Sequence, residues 1–416
     1  MILKGKVNIK AFPSRGGESI LIKLYGINKT NILIDCGYKS TYKLIKKELI
    51  KIRERGEKLD LLVLTHIDND HINGARSILQ DYIDGNICDI SEIWINDYFR
   101  ICNLKVENND ENNLESLELL KKIIKQKYPI DPQEYGDKNI GYKEANILTE
   151  YLSNTKVKDK INLKFGGEPI YIESKDNIKN ITINEDIEII LIGPRKKILI
   201  DLIEEWNEYL HEKGFKDEIT KSKELARAFE LFYINNMNQN LEINSKITNC
   251  ATQLKSIDDI VSFNEFKLEN INRSSISFIL KFHDKNFLFL GDSSPADYDE
   301  VLSYISKQNE DKKIPFELVK ISHHGSKFDT SSNLFNYITS KRYLILTNGN
   351  GYDHPDLEVI AKIILKQDDK KEILFNYRHN KVTRFIKNYK LDKLDNFSIK
   401  YENNQKLGLN ILNIDI

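Results

Sequence analysis

Short apolar runs separated by polar turns dominate the first hundred residues of the chain. One of them, Leu59–Leu64, is mostly apolar, as expected for a strand that is buried on both faces. Tyr42–Ile52 instead has the apolar spacing of an amphipathic helix, and Ala75–Leu79 continues as a helix after the polar segment 65–71. Strands are predicted at Val7–Phe12, Ser19–Leu24, Asn31–Ile34, Leu59–Leu64 and Glu92–Ile95. The pattern predicts a mixed α/β fold.

The middle of the chain, from about residue 104 to about residue 250, is rich in Glu, Lys and Asn. Helices are predicted at Leu114–Ile124, Leu199–Leu210 and Lys221–Phe232, and short β-like segments at Glu168–Ile172 and Ile187–Ile192. Because apolar periodicity persists through this region, we interpret it as an inserted, mainly helical lobe and not as a disordered linker.

Strand-like segments return after Ser274. The first two predicted strands flank the turn at residues 283–286, which indicates a hairpin. Leu357–Leu365 has helical spacing. The strands predicted in this part are Ser275–Lys281, Phe287–Leu290, Phe316–Ile321, Tyr343–Leu346, Ile373–Tyr377, Asn396–Tyr401 and Leu407–Leu412.

Composition and charge narrow the partners of the protein. The 416 residues include 62 basic and 63 acidic side chains, so the net charge gives no general attraction to nucleic acid or to an anionic membrane. No run approaches the roughly 18 apolar residues of a membrane span, and the N-terminal segment lacks the apolar core of a signal peptide. The four cysteines are scattered, without a CxxC pair. We therefore expect a cytoplasmic protein with reduced thiols and no membrane association.

Histidines and acidic residues follow the apolar strands repeatedly. Five of the eight histidines occupy such positions. The segments that follow strands are Asp35, the sequence THIDNDH at 65–71, Gly291-Asp292, the sequence SHHGS at 322–326, and His354-Pro355. In α/β sheets, ligands gather beyond the carboxyl ends of strands, so this distribution predicts one site assembled from several loops.

The spacing within THIDNDH suits metal ions. His66 and Asp68 are two residues apart in an extended loop, so their side chains can point to the same side. Asp70 and His71 fall at the start of the next helix and diverge from that pair, so the loop can serve two ions. Asp292, arriving from another strand, could bridge them. Imidazole and carboxylate groups are ordinary ligands for zinc, manganese or iron.

These motifs resemble the metallo-β-lactamase superfamily in type and order. The segments LLVLTHIDNDHINGA, FLFLGD, LVKISHHGS and NGNGYDHP are most similar to the branch that holds the hydrolase domain of the competence DNA-uptake protein ComEC and the bacterial phosphorylcholine esterases. The resemblance covers about residues 5–100 and 270–385. It implies an αββα metallo-β-lactamase sandwich, with residues 1–103 as its N-terminal half, residues 104–250 as the inserted mainly helical lobe, and residues 251–416 as its C-terminal half.

The resemblance also implies a hydrolase site with two divalent metal ions, zinc or manganese. The implied metal ligands are His66, Asp68, Asp70, His71, Asp292 and His324, and the implied catalytic residues are Asp70, His323 and His354. His66 and Asp68 would hold the first ion. Asp70 and His71, completed by His324, would hold the second. Asp292 would bridge the ions, and Asp35 would support the metal loop through hydrogen bonds.

Two features depart from the superfamily pattern. The usual block is HxHxDH, so Asp68 stands where a histidine is expected; a carboxylate shifts the preference toward manganese or another oxygen-loving ion. Superfamily members often carry a further histidine between the DH pair and the bridging aspartate. Here only His211 and His283 lie in that interval, and neither is suitably placed. The first ion would then use water or a carboxylate such as Asp97.

The implied reaction is hydrolysis by a metal-bridged hydroxide. Our first hypothesis is a phosphodiesterase that acts on nucleic acid, a nucleotide or another phospho-ester. A hydrolase of a thioester, lactone or lactam stays open, as does a sensor or assembly subunit whose inserted lobe docks a protein partner. The lysines noted in the lobe (Lys156, Lys158, Lys221 and Lys223) are too scattered to form a basic patch, so charge does not favour nucleic acid.

Overall fold

The structure, a computed structural model, describes most of the chain. The described residues are 5–105, 113–124, 147–244, 257, 270–310, 312–350, 353–367, 369–401 and 411–416, with side chains described only to residue 234 in the third range.

Six strands form the first sheet, in the order β16-β1-β2-β3-β4-β5. They are β1 Lys6–Ala11, β2 Ile20–Tyr25, β3 Lys29–Ile34, β4 Leu61–Val63, β5 Ile93–Trp94 and β16 Leu412–Asp415. Strands β16 to β3 pair antiparallel, whereas β3, β4 and β5 run parallel, so these three end at the same edge of the sheet.

Eight strands form the second sheet, in the order β15-β14-β13-β11-β9-β8-β7-β6. They are β6 Asn180–Asn184, β7 Ile187–Gly193, β8 Ser277–Phe282, β9 Lys285–Phe289, β11 Leu318–Lys320, β13 Arg342–Ile345, β14 Lys371–Phe375 and β15 Phe397–Tyr401. Strands β9, β11, β13, β14 and β15 are parallel and end at one edge. A separate parallel pair joins β10 Ile314–Phe316 to β12 Ile338–Ser340.

Helices cover both sheets and fill the middle of the chain. They are α1 Lys39–Glu54, α2 Asn69–Ile83, α3 Tyr98–Cys102, α4 Leu114–Ile124, α5 Leu148–Leu152, α6 Thr155–Lys158, α7 Lys196–Glu212, α8 Lys223–Asn244, α9 Asn270–Arg273, α10 Pro295–Ser306, α11 Leu334–Tyr337, α12 Leu357–Leu365 and α13 Asn380–Asn388. In the part of the chain that the structure describes, no helix is both long and apolar enough to cross a membrane.

The strand period of two explains the layers. On β3, Ile32 and Ile34 belong to the core between the sheets, while Leu33 between them belongs to a second core with residues of α1 and α2. Buried residues of α10 and α12 pack into the core that contains the second sheet. The result is the predicted αββα sandwich, and the α/β fold class is confirmed.

Part of the predicted lobe completes the sandwich. Strand β7 is hydrogen bonded to β8 along its length, and β6 forms the edge of the same sheet. The helical remainder packs on the first sheet through α7 and α8, both of which contact α3. The division at 103/104 and 250/251 therefore stays a prediction.

Several local expectations differ from the structure. Glu168–Ile172 is not a strand, apart from one bridge between Ile172 and Arg195, because side chains instead of a ladder hold its backbone. Strand β6 and helices α10 and α13 were not predicted from the pattern. Most of the predicted strand Leu407–Leu412 lies outside the described residues, and β16 begins at Leu412.

Candidate metal centre

The predicted motifs lie on loops at the carboxyl ends of five strands. Asp35 follows β3, residues 65–71 follow β4, Asp292 follows β9, residues 322–326 follow β11, and His354 lies in the loop after β13. The two sheets meet here, because the Ile276 amide donates to the Thr65 carbonyl and the Ser275 hydroxyl lies 3.1 Å from Nδ1 of His66. Residues from both halves of the chain therefore enter one site.

Local backbone geometry brings Asp292 close to the loop from β4. Gly291 has a left-handed φ of 56°, and a Cβ at this position would lie 2.9 Å from the Cβ of Ser275. A larger residue would push the strand end away. The glycine that precedes Asp292 is thus a packing requirement of the site.

The structure brings five of the six predicted ligands into two overlapping groups. His66, His71 and Asp292 offer ligand atoms that lie within 4.8 Å of one another. Asp70, His71 and His324 do the same. Nε2 of His324 lies 3.3 Å from Oδ2 of Asp70 and 3.7 Å from Oδ2 of Asp292, so Asp292 borders both groups.

The histidines are oriented by hydrogen bonds on their far sides. Nδ1 of His71 donates to Oδ2 of Asp35 at 2.8 Å, and Nδ1 of His324 donates to the Leu346 carbonyl at 2.9 Å. With the proton on Nδ1, the lone pair on Nε2 faces the carboxylates. This is the usual arrangement of metal-binding histidines. Asp35 also accepts from the amide and hydroxyl of Thr65, so it fixes the loop and the ring together.

The donor set fits divalent cations. Nε2 of His66, Nε2 of His71 and Oδ1 of Asp292 are buried and have no hydrogen-bond partner among the described residues. Buried polar atoms without a partner cost free energy, about 1–3 kcal/mol each. Imidazole nitrogen and carboxylate oxygen are the atoms that zinc and manganese bind, so a cation would satisfy all three.

The carboxylates of the cluster raise the pKa values of two of its histidines. Burial alone would lower the pKa of His324, but the carboxylates of Asp292, Glu18 and Asp70 raise it to about 10. Burial likewise opposes charge on His71, yet Asp292, Asp70 and Asp35 raise its pKa well above the usual value. The carboxylates thus attract positive charge to this point, and metal binding would displace those protons.

Burial instead favours the neutral forms of His66 and Asp68. Burial, with the charge on His71, lowers the pKa of His66 to about 3, so its ring is neutral, as a metal ligand must be. Burial, with the charge on Asp70, raises the pKa of Asp68 to about 8. The Asp68 carboxylate accepts from the Asn69 amide and caps α2.

Asp68 belongs to neither of the two groups. Among the described residues, the atoms that gather beside His66 come from His71 and Asp292 instead. The assignment of Asp68 to the first ion therefore remains a prediction. Its observed role is to start α2, the helix that carries Asp70 and His71.

His323 and His354 lie beside the two groups, at the rim. Nδ1 of His323 donates to Oδ2 of Asp329 at 2.7 Å, and its Nε2 lies 3.8 Å from Oδ2 of Asp292. The rings of His323 and His354 are 5.6 Å apart, and Nδ1 of His354 lies 3.4 Å from Asp356. The Ser326 hydroxyl accepts from the Phe328 amide, which makes it a turn cap.

Two buried residues at the centre were missed by the sequence patterns. Glu18 forms an ion pair with Lys320, and its Oε1 lies 3.1 Å from Nδ1 of His324. Lys320 donates to the Gly291 carbonyl at 2.8 Å, and its ammonium lies 3.7 Å from Oδ1 of Asp292. The available signal was a lysine at the end of an otherwise apolar strand, because a buried lysine needs a partner.

The remaining candidates have other roles. Asp97 caps α3 and pairs with Arg100 at 2.7 Å, so its carboxylate is engaged away from the two groups. His211 is exposed in the last turn of α7, and His283 occupies the hairpin turn 3.6 Å from Asp186. His379 is buried, with Nε2 at 3.0 Å from the Thr347 carbonyl. None of the three histidines takes part in the groups formed by the described residues.

Comparison with known proteins relates the chain to a protein family and to a solved structure. The family model described as the metallo-beta-lactamase superfamily matches residues 15–91. No curated protein matches the chain. Among solved structures, the chain is similar to a long-form RNase Z from yeast, with 9% sequence identity and a TM-score of 0.35. That match covers 89% of this chain and 37% of the RNase Z chain, so the present chain spans little more than a third of its length.

Proposed function

We propose that the protein is a metal-dependent phosphodiesterase, a proposal that starts from the match of residues 15–91 to the metallo-beta-lactamase superfamily. The family supports a metal-dependent hydrolase. The choice of phosphodiester, the number of ions and the identity of the metal are our proposal.

The observation that carries the proposal is the pair of groups that share His71 and border Asp292. His66, His71 and Asp292 would hold one ion. Asp70 and His324 would hold the other, together with either His71 or Asp292. Bound divalent cations supply an activated water and neutralise charge on a phosphoryl group. The orphaned Nε2 and Oδ1 atoms of His66, His71 and Asp292 support the presence of such ions.

His323 is suited to handle the proton of the leaving group. Its Nδ1–H is held by Asp329, a buried carboxylate, which leaves Nε2 directed toward the cluster. His323 is also the more exposed of the two histidines in the HHGS segment, so a substrate can reach it. We assign it the role of general acid, with Asp329 orienting the ring.

The carboxylates of the two groups support a phosphodiester over a thioester. Each group holds one carboxylate, from Asp292 or from Asp70, beside two imidazole rings. Carboxylate oxygens bind harder ions such as manganese, and such ions bind phosphoryl oxygens in preference to sulfur. The inserted lobe packs beside α2 and would limit which phosphodiesters reach the site.

A metal and substrate measurement tests the proposal. Protein incubated with manganese or zinc and then desalted is expected to hold two ions per chain by mass spectrometry. It should hydrolyse bis(p-nitrophenyl) phosphate but not a thioester or a lactone. Faster cleavage of the thioester or the lactone would replace the phosphodiesterase assignment. One ion or none, without hydrolysis of any of these substrates, would favour the scaffold role.

A further inference from the structure

A basic and aromatic cleft lies outside the candidate metal centre. It has a volume of about 660 Å³ and is formed by the segment after α3, residues 164–171, β6 and the first residue of α7. Three lysines and two aromatic rings line it: Lys164, Lys179, Lys196, Phe165 and Tyr171. These lysines are spread over 33 positions of sequence, and only folding brings them together.

The positive charge of the cleft is largely uncompensated. In the described part of the chain, neither Lys164 nor Lys179 pairs with a carboxylate, while Lys196 lies 3.5 Å from Glu173. The acidic residue in the lining, Glu168, accepts a hydrogen bond from the Asn103 side chain at 2.9 Å. An anion in the cleft would therefore meet more positive than negative charge.

Aromatic surface accompanies the charge. The ammonium of Lys179 lies 4.7 Å from the centre of the Tyr171 ring, and that of Lys196 lies 5.4 Å from it. The Phe165 ring packs edge-on against the buried Trp94 at 5.3 Å, which fixes its position. Rings bordered by cations are the elements with which proteins bind a base and its phosphate together.

The walls of the cleft are held by side-chain hydrogen bonds. The buried Asn162 bonds to the amide and carbonyl of Ile95 and to the Glu168 carbonyl. Asn96 bonds to both the amide and the carbonyl of Ile170, next to Tyr171. A preformed cleft loses little conformational entropy when it binds a ligand.

Strands β7 and β8 connect the cleft to the metal centre. Lys196 donates its amide to Ile172 and lies three residues after Gly193, the end of β7. Gly193 pairs with Ser277 on β8, and the nearby Ser275 hydroxyl contacts His66. A ligand seated at the start of α7 therefore lies on the side of the molecule where β8 enters the candidate site.

We infer that this cleft binds a nucleoside phosphate, either as a free nucleotide or as one unit of a single strand. The phosphate would contact Lys164 and Lys179, and the base would stack on Tyr171 or Phe165. This goes beyond the proposed hydrolysis, because the binding needs no metal and does not depend on the reaction.

Isothermal titration of the full chain in the presence of EDTA tests the inference without metal-dependent turnover. The probes are adenosine 5′-monophosphate, a short 5′-phosphorylated single-stranded oligonucleotide, and inorganic phosphate. The first two should bind saturably and inorganic phosphate more weakly. If the oligonucleotide binds more tightly than the mononucleotide, a nucleic-acid strand is the natural ligand. Equal affinities indicate a free nucleotide. No binding of the first two probes, or inorganic phosphate binding as tightly as the nucleotide, would overturn the inference.

Matched variants locate the binding. Lys179→Glu should weaken nucleotide binding about tenfold or more, the effect of losing about one charge-assisted contact. Lys213→Glu is the control, because Lys213, directly after α7, lies 5.4 Å from the Tyr209 ring and outside the cleft. It should bind within about twofold of the wild type, since it changes charge but removes no cleft contact.

Folding is checked by circular dichroism and a thermal melt. If Lys179→Glu melts early, Lys164→Glu serves instead, because its exposed side chain has no described carboxylate partner. Tyr171→Ala should weaken the nucleotide but leave the affinity for inorganic phosphate unchanged. A folded lysine variant that binds the nucleotide like the wild type would contradict the assignment.

Discussion

Nε2 of His71 lies 3.4 Å from Oδ2 of Asp292, although the two residues belong to opposite halves of the chain and follow strands of different sheets. The contact places a carboxylate at the point that His66 and His324 also face. Asp292 is therefore the residue that connects the two proposed ion sites, and its removal should affect both.

Asp292→Asn is expected to lose bound metal and at least about a hundredfold of phosphodiesterase activity, because the substitution removes an anionic charge that belongs to one group and borders the other. Metal content by mass spectrometry and hydrolysis rates measure the effect, and circular dichroism reports the fold. Asp284→Asn, in the exposed hairpin turn, is the matched control. A variant that keeps two ions and full activity would disprove the central role of Asp292.

Asp35→Asn is expected to weaken metal binding about 10- to 100-fold. Asp35 orients the ligand His71 but does not itself belong to either of the two proposed ligand groups. The asparagine side chain has a single oxygen and no negative charge. It therefore cannot accept the hydrogen bonds from His71 and Thr65 in the way that the two carboxylate oxygens of Asp35 do. Competition with a chelator measures the affinity. Asp60→Asn is the control, because Asp60 accepts a backbone hydrogen bond from Asn31 away from the site. Equal affinities in the two variants would argue against a positioning role.

Asp329→Asn should lower kcat about tenfold or more for an alkyl phosphodiester and leave KM nearly unchanged, because His323 would lose the partner that orients it. With p-nitrophenolate, a leaving group that needs no proton, the decrease should be small. Steady-state kinetics on both substrates separate the outcomes. The same decrease on both substrates would exclude a role in protonating the leaving group.

Lys320→Met is expected to destabilise the metal-free protein by about 3 kcal/mol, because it removes the lysine partner of the buried Glu18 carboxylate and leaves only the His324 ring beside it. The double variant Glu18→Gln with Lys320→Met should recover part of that loss. Urea unfolding provides the free energies. Lys341→Met removes a surface ion pair with Glu317 and should cost about 1 kcal/mol or less. Additive losses in the double variant would show that the pair is not coupled.

The buried Lys362 should make the folded protein more stable as the pH becomes alkaline. Burial lowers its pKa from 10.5 to about 8, so between these values the unfolded chain holds a proton that the folded chain has lost. Below about pH 8, the buried charge of Lys362 destabilises the folded state in full. As the pH rises toward 10.5, the free energy of unfolding increases, by roughly 3 kcal/mol in total.

Unfolding free energies of the wild type and Lys362→Met, measured in steps across this window, give the difference. The wild type should gain on the variant as the pH rises. Lys307→Met, at the exposed C-terminal end of α10, should run parallel to the wild type. A wild-type curve parallel to that of Lys362→Met would show that Lys362 titrates normally.

Local pattern was sufficient for much of the fold and for the members of the site. The apolar run before THIDNDH marks β4, and the apolar spacing of Ala75–Leu79 marks α2. Histidines and aspartates at strand ends point to one edge, because strands that are parallel end together. Predictions failed where backbone is held by side chains, as in residues 168–172, or where an edge strand such as β6 is too polar to stand out.

The sequence by itself determined which residues can bind metal and the order in which strands carry them, since both follow from residue chemistry and from the period of two along a strand. Only the tertiary structure decided which of them meet. It places His66 with His71 and Asp292, assigns Asp68 to the cap of α2, and buries Glu18 beside Lys320. It also gathers Lys164, Lys179 and Lys196 into one cleft. The physical reason is that distances between side chains from different strands depend on sheet order and packing, which local pattern does not specify.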